Sequence, residues 1–328
     1  MLTRRTLLAA SASLVAAGAT RMSSAHAQML NKQVRVIVGF PAGGGTDVIA
    51  RIVAEKLRGN YAPTVIVENK PGAAARLSVE FVKSAEPDGA TLLYTPDFPL
   101  TVYPYSFKSL SYDPLKDLTP VAPTASSMLC FNVGPAVPAN VKTAKDFVQW
   151  CKDNPSKASF ATTSAGGTPH FVGMMLSQAA GVPMQAVHYR GGAPALQDLL
   201  GGHVPASVNP IAEAMPLAEQ GLIRVLAVTG PRRSRFMPNV PTMQESGYDV
   251  VLDSWLGVIA PANTPPAVVK NLSNALEKVV KSPDYVESLA KFGNEPMFMP
   301  PEEFAARYKA DIAKWGSIVK ATGFVAED

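Results

Sequence analysis

VRVIVGFPAGGGTDVIARIVAEKLR, residues 34 to 58, decides the fold. It opens as a β-branched apolar run, Val34 to Phe40, that stops at Pro41. It resumes from Asp47 to Arg58 with Val48, Ile49, Ile52, Val53 and Leu57 on one helical stripe. Between them lies Phe40-Pro41-Ala42-Gly43-Gly44-Gly45-Thr46-Asp47. Strand, glycine turn and helix together are the repeating unit of an α/β fold. The glycines let the backbone bend and let a ligand approach its N–H groups. The helix start behind them leaves unpaired donors and a partial positive charge, which is a seat for an anion. Thr46 is placed to be the N-cap and Asp47 suits the first turn.

A P-loop would end in Gly-Lys-Ser/Thr, and there is no lysine here; a dinucleotide fingerprint needs another glycine spacing. A carboxylate or small oxyanion remains. On this loop alone, a tight strand–helix turn with no ligand is an equal reading.

Outward from this unit the alternation continues. Val65–Val67 and Thr91–Tyr94 are strands, and Leu77–Ala85 is a helix closed by the turn Glu86-Pro87-Asp88-Gly89. The pattern implies parallel strands with right-handed crossovers. Pro96 to Pro123 has no period and reads as a long connection towards a second lobe. Strands then follow at Met128–Val133, Ala158–Thr162, Gln185–His188, Ile223–Thr229 and Trp255–Ala260. Helices read at Thr143–Asp153, Pro169–Ala180, Ala193–Leu200, Pro265–Lys281 and Pro301 to about Thr322. Phe304, Tyr308, Ile312 and Trp315 form a core stripe on the last.

Two later loops match the first in position. Thr162-Thr163-Ser164-Ala165-Gly166-Gly167-Thr168-Pro169-His170 follows a strand, opens a helix and offers hydroxyls and bare amides. Tyr189-Arg190-Gly191-Gly192-Ala193-Pro194 does the same one strand later. Ligands of open α/β sheets sit at the carboxyl ends of strands, so three such loops would converge on one cleft. His170 near Ser164 and Asp97 suggests a hydrolase triad, but the Gly-x-Ser-x-Gly elbow is missing, and a first-turn histidine is more often a structural partner.

The start of the chain bears on compartment. Thr3-Arg4-Arg5, a short apolar run from Leu7 to Ala19, and Ala25-His26-Ala27 make a secretory signal with cleavage expected before Gln28. The rest carries 27 basic and 26 acidic residues, with no basic run, so nucleic acid is not an expected partner. No later segment reaches about 18 uninterrupted apolar residues, the length a membrane span needs. Cys130 and Cys151 fall in an apolar strand and an amphipathic helix and read as free thiols. No Cys/His spacing suits a metal, and no cofactor is expected.

In order along the chain, several segments resemble the Bug (TctC-like) family, the solute receptors of tripartite tricarboxylate transporters. They are Phe40 to Asp47, Val67-Glu68-Asn69-Lys70-Pro71-Gly72-Ala73, Pro87-Asp88-Gly89-Ala90-Thr91-Leu92-Leu93, Tyr112-Asp113-Pro114-Leu115-Lys116-Asp117, Tyr189 to Leu196 and Leu226-Ala227-Val228-Thr229. The resemblance implies a type II periplasmic-binding-protein fold, with two α/β lobes, two crossover segments and a cleft that closes on ligand. The expected division is 28–124 with 254–328 as lobe one and 125–253 as lobe two. The resemblance also implies a ligand carboxylate on the backbone amides of Ala42, Gly43, Gly44, Gly45 and Thr46, beside Asp47. Thr162, Thr163, Ser164 and Thr168 would add donors; Gly191 and Gly192 would let backbone line the pocket, with His170 and Tyr189 alongside.

Two departures bear on the ligand. Where the family has small Thr/Gly residues, this chain has Pro96-Asp97-Phe98-Pro99; where it often has Asp-Asn, Asn209-Pro210 stands. Asp97 would face an amine or ring nitrogen and disfavour citrate, Phe98 would stack on the solute, and Asn209 would add an amide. The expected function is capture of a monocarboxylate or amino-acid-like solute and delivery to membrane permease subunits. A receptor feeding a sensor kinase, or an exported hydrolase using Ser164 and His170, are the other classes.

Overall fold

The computed structural model describes residues 29–324; the signal segment expected at 1–27 and its cleavage site lie outside them. The opening unit forms as β1 (Gln33–Val38), the glycine turn and α1 (Gly45–Leu57). β2 (Thr64–Asn69) and β3 (Thr91–Pro96) flank β1 and run parallel to it, with α2 (Arg76–Lys83) between them in sequence. Apolar residues on both faces of β1 and β3 bury them under helices, as parallel strands require.

The stretch expected to be a connection is structured. It holds the short helices α3 (Phe98–Thr101) and α4 (Tyr103–Ser106) and then β4 (Leu118–Ser127), a strand of the first sheet. Its prolines hid it: Pro120 and Pro123 interrupt the strand signal. They sit where β4 pairs irregularly with β10 (Ser254–Pro261), with register shifts on either side of Gly257 and Val258. β10 runs antiparallel to both β3 and β4, so the first sheet is mixed, not wholly parallel as the alternation implied. With β11 (Glu295–Pro296) its order is β11-β4-β10-β3-β1-β2.

The chain passes to the second sheet at Met128, beyond the expected boundary at 124, and returns at Ser254. In between come β5 (Leu129–Val133), α5 (Ala144–Asp153), β6 (Ser159–Thr162), α6 (Thr168–Ala180), β7 (Gln185–His188), α7 (Gly192–Leu200), β8 (Ala206–Pro210), α8 (Ile211–Glu219) and β9 (Arg224–Val228). The sheet order is β7-β6-β8-β5-β9; β6 is parallel to β7 and β8, and β5 is antiparallel to β8 and β9. The sequence reading had no β8 and no α8. α9 (Pro266–Lys281), α10 (Pro283–Ala290) and α11 (Pro301–Thr322) complete the chain.

α11 touches both lobes. Phe304, Tyr308 and Ile312 join the first lobe's core, while Trp315 and Val319 pack in the second lobe's core, where the Trp315 ring stands 5.6 Å from that of Phe171 on α6. Cys130 and Cys151 are free and buried. No described helix is long and apolar enough to cross a membrane.

Candidate ligand-binding site between the lobes

The first loop is organised from beneath. Asp47 is buried, and its carboxylate accepts from the Gly43 N–H at 2.9 Å, from Arg51 at 2.9 and 3.0 Å, and from Asn69 Nδ2 at 2.7 Å. Burial alone would raise its pKa, but these donors hold it below the usual carboxylate range. Asp47 is therefore the brace of the loop, and its acceptors are spent inside it. Nor does Thr46 cap the helix: the N-cap is Gly44, and Thr46 lies within the first turn. Gly43 has φ +82°, which glycine allows, and Gly44 N–H closes a turn on the Pro41 carbonyl at 3.3 Å. That leaves the amides of Gly45, Thr46 and Asp47 heading α1 with no hydrogen-bond partner among the described residues. Ala42 is exposed beside them.

The second loop faces the other way in its chemistry. Thr162 is buried and its hydroxyl donates to the Ser164 carbonyl at 3.1 Å. Gly166 N–H donates to His170 Nδ1 at 3.2 Å, so His170 ties down the loop that precedes it. Burial, with the neighbouring His188, depresses the His170 pKa to about 4, which keeps that nitrogen an acceptor at neutral pH. The hydroxyls of Ser164 and Thr168 are buried with no partner. A buried hydroxyl left unbonded costs about 1–3 kcal/mol, so its position calls for an explanation.

The third loop continues this wall. Tyr189 N–H donates to the Thr162 carbonyl at 2.9 Å, and Gly191 N–H to that of Thr163, itself half-buried, at 3.0 Å. The Tyr189 hydroxyl is committed to Asp198 at 2.6 Å, which directs it to its own helix. Gly191 has φ +108°. Asn209 lies one residue past the Thr162–Val208 pairing, at the same edge of the sheet. Its Nδ2 donates to Glu213 at 3.1 Å, and its Oδ1 is buried without a partner.

The two lobes meet here. Ser106 of lobe one donates to the Gly166 carbonyl at 3.0 Å, and a Cβ on Gly167 would stand 3.4 Å from the Phe98 ring. Phe98 packs edge-on against Phe40 at 6.0 Å and Tyr103 at 5.6 Å, so it seals the seam between lobes. Tyr103, buried from lobe one, brings its hydroxyl near that of Ser164 across the seam, and neither makes a hydrogen bond of ordinary geometry. Of the six buried side-chain polar atoms without a partner among the described residues, those of Tyr103, Ser164, Thr168 and Asn209 belong to the loops at this seam.

Asp97 spends its carboxyl inside the fold. It is enclosed at the end of β3, where its backbone N–H donates to the Trp255 carbonyl and its carboxyl accepts from Ser254 at 2.6 Å. Burial pushes its pKa up to about 7, with Asp311 and Asp253 adding to the rise against the Ser254 bond. Asp97 thus belongs to the return crossover, and no contact brings it to Ser164 or His170; a Ser164–His170–Asp97 triad is not assembled, since Ser164 Oγ has no partner.

The sequence reading missed Tyr103 and Glu213. Tyr103 sits in the Pro-rich stretch without period. Glu213 sits on α8, where the sequence reading had no helix.

Two mixed α/β sheets, a chain that passes between them twice, and facing loops at the carboxyl ends of strands define a two-lobed solute-binding protein. The chain belongs to the tripartite tricarboxylate transporter receptor family (TctC), whose sequence model matches residues 49–324. It is 35% identical over 294 residues to the UPF0065 protein in the gbd 5′ region of Cupriavidus necator, covering 89% of this chain and 88% of that one. It superposes on the periplasmic binding protein BugD with a TM-score of 0.82 at 31% identity, covering 90% of this chain and 99% of BugD. The R. palustris protein Rpa4515, solved with adipate, superposes with a TM-score of 0.84 at 28% identity, over 90% and 98% of the two chains. Solved relatives include periplasmic binding proteins, and among them Rpa4515 holds adipate and MatC from Rhodopseudomonas palustris holds malate.

Proposed function

We propose that this chain is an exported receptor, cleaved before Gln28, that captures a small monocarboxylate or amino-acid-like solute by closing its lobes and delivers it to a tripartite tricarboxylate-type permease. One observation carries the reading: unpaired backbone donors at Gly45, Thr46 and Asp47 on one lobe, and unpartnered buried hydroxyls at Ser164 and Thr168 on the other. A carboxylate between them supplies acceptors to both sets at once. The bodies that close are the two lobes built on these two sheets. Removing water at closure strengthens each of these contacts, and contacts made only in the closed form bias the equilibrium towards it. The chain's likeness to Rpa4515, solved with adipate, supports a carboxylate ligand.

Native mass spectrometry of the purified protein tests this. A retained carboxylate solute, lost on Gly45→Pro, is the expected result. No carboxylate bound in any state, with the lobes folded, would sink the reading. Delivery is tested by uptake of that solute in cells with and without the permease subunits.

A further inference from the structure

Glu213 is a carboxylate without a cation. It lies in the first turn of α8, half-buried, and its one hydrogen-bond partner is Asn209 Nδ2. No lysine, arginine or histidine forms an ion pair with it among the described residues. Burial raises its pKa, which the Asn209 bond only partly offsets. Beside it, Asn209 Oδ1 is fully buried and has no donor. The carboxylate crosses directly over Gly192, where a Cβ would meet Glu213 Oε2 at 1.6 Å, so glycine at the head of α7 makes room for it. Gly191 in turn is bonded to Thr163 of the second loop, and the Gly293 turn of lobe one reaches Ile211 at the other side. Two acceptors are thus gathered at the loop edge of lobe two, within the seam.

We infer that Asn209 Oδ1 and the Glu213 carboxylate form a subsite for a protonated primary amine of the captured solute. This rests on the receptor reading and narrows it: the solute is a zwitterion, with its carboxylate on the α1 amides and its ammonium on lobe two. A buried carboxylate is stable when a cation and further hydrogen bonds satisfy it, and an ammonium brings both, with a spare donor for Asn209 Oδ1. The amine role that the sequence suggested for Asp97 passes to Glu213, because Asp97 is enclosed beside Ser254, Asp253 and Asp311.

The test is competitive capture read by native mass spectrometry. The probe is an equimolar mixture of the twenty amino acids, their des-amino carboxylates, adipate, malate and citrate. The wild-type protein is expected to retain an amine-bearing member over its des-amino partner. Glu213→Gln is expected to bind that member about 30-fold more weakly or worse, with the des-amino partner unchanged. Should Glu213→Gln lower the melting temperature, Asn209→Ser removes the unpartnered oxygen instead, and a loss in the same direction is expected. Retention of amine-free solutes alone, or equal capture of the amine by Glu213→Gln, overturns the inference and leaves the receptor reading standing. Retention of nothing from the mixture overturns both.

Discussion

The first and second loops occupy equivalent places on the two sheets, yet they are built by opposite means. In the first, one buried carboxylate, Asp47, gathers Gly43, Arg51 and Asn69 and leaves only backbone N–H groups unspent. In the second, His170 braces Gly166, and side-chain hydroxyls of Ser164 and Thr168 are left over. On the proposed receptor reading, the first is a general anion seat that any carboxylate fits, and the second, with its continuation through Asn209 and Glu213, is where residue identity can choose among carboxylates.

Four experiments break or sharpen this contrast. The largest effect is expected at the brace of the first loop. Asp47→Ala strips the acceptor from three donors and should cost about 3 kcal/mol in denaturant unfolding, the half-exposed Arg51 adding less than a buried partner would. A cost below that of an ordinary surface change would mean that the loop holds its shape unaided.

The brace of the second loop is read by acid. The His170 pKa is depressed in the folded state, to about 4 from 6.5. The unfolded chain therefore takes up this proton first, and the histidine's contribution, complete above pH 6.5, is lost as pH falls towards 4. A decline of about 2–3 kcal/mol over that window is expected from melting curves, and His170→Asn should flatten it.

Gly167→Ala probes closure. Its Cβ would lie 2.2 Å from Ser164 Oγ and against the Phe98 ring, so closing should lose about 2 kcal/mol, seen as weaker solute binding in calorimetry. Unchanged affinity would mean that the seam does not tighten on the solute. Ser164→Ala gives the smallest change: the solute-free protein should be unaltered or about 1 kcal/mol more stable while solute affinity falls. Lower stability instead would show that the hydroxyl serves the fold.

Much of this contrast could be read from residues 34 to 58 and 158 to 192, because the switch from β-branched runs to helical stripes across glycine loops is a local signal. Gln185–His188 and Pro301–Thr322 fall where they were read. Non-local features were hidden. β4 is a strand because β10 pairs with it, and its prolines sit at irregular places in that pairing. β8 and α8 were missed since Pro210 and Pro216 punctuate a short apolar stretch, and Glu213 went with them. Asp47, Tyr189 and Asp97 stand in or beside the loops in the sequence, but their partners Asn69, Asp198 and Ser254 are set only by folding.

The last helix carries one more lesson. Because Trp315 and Val319 finish a core that takes Phe98, Val102 and Tyr103 from lobe one and its remaining members from between Leu129 and Leu252, the second lobe closes its packing with residues made after everything else in it. Shortening the chain before Trp315 would injure the lobe that those residues do not belong to by sequence, and both halves would melt as a single cooperative unit.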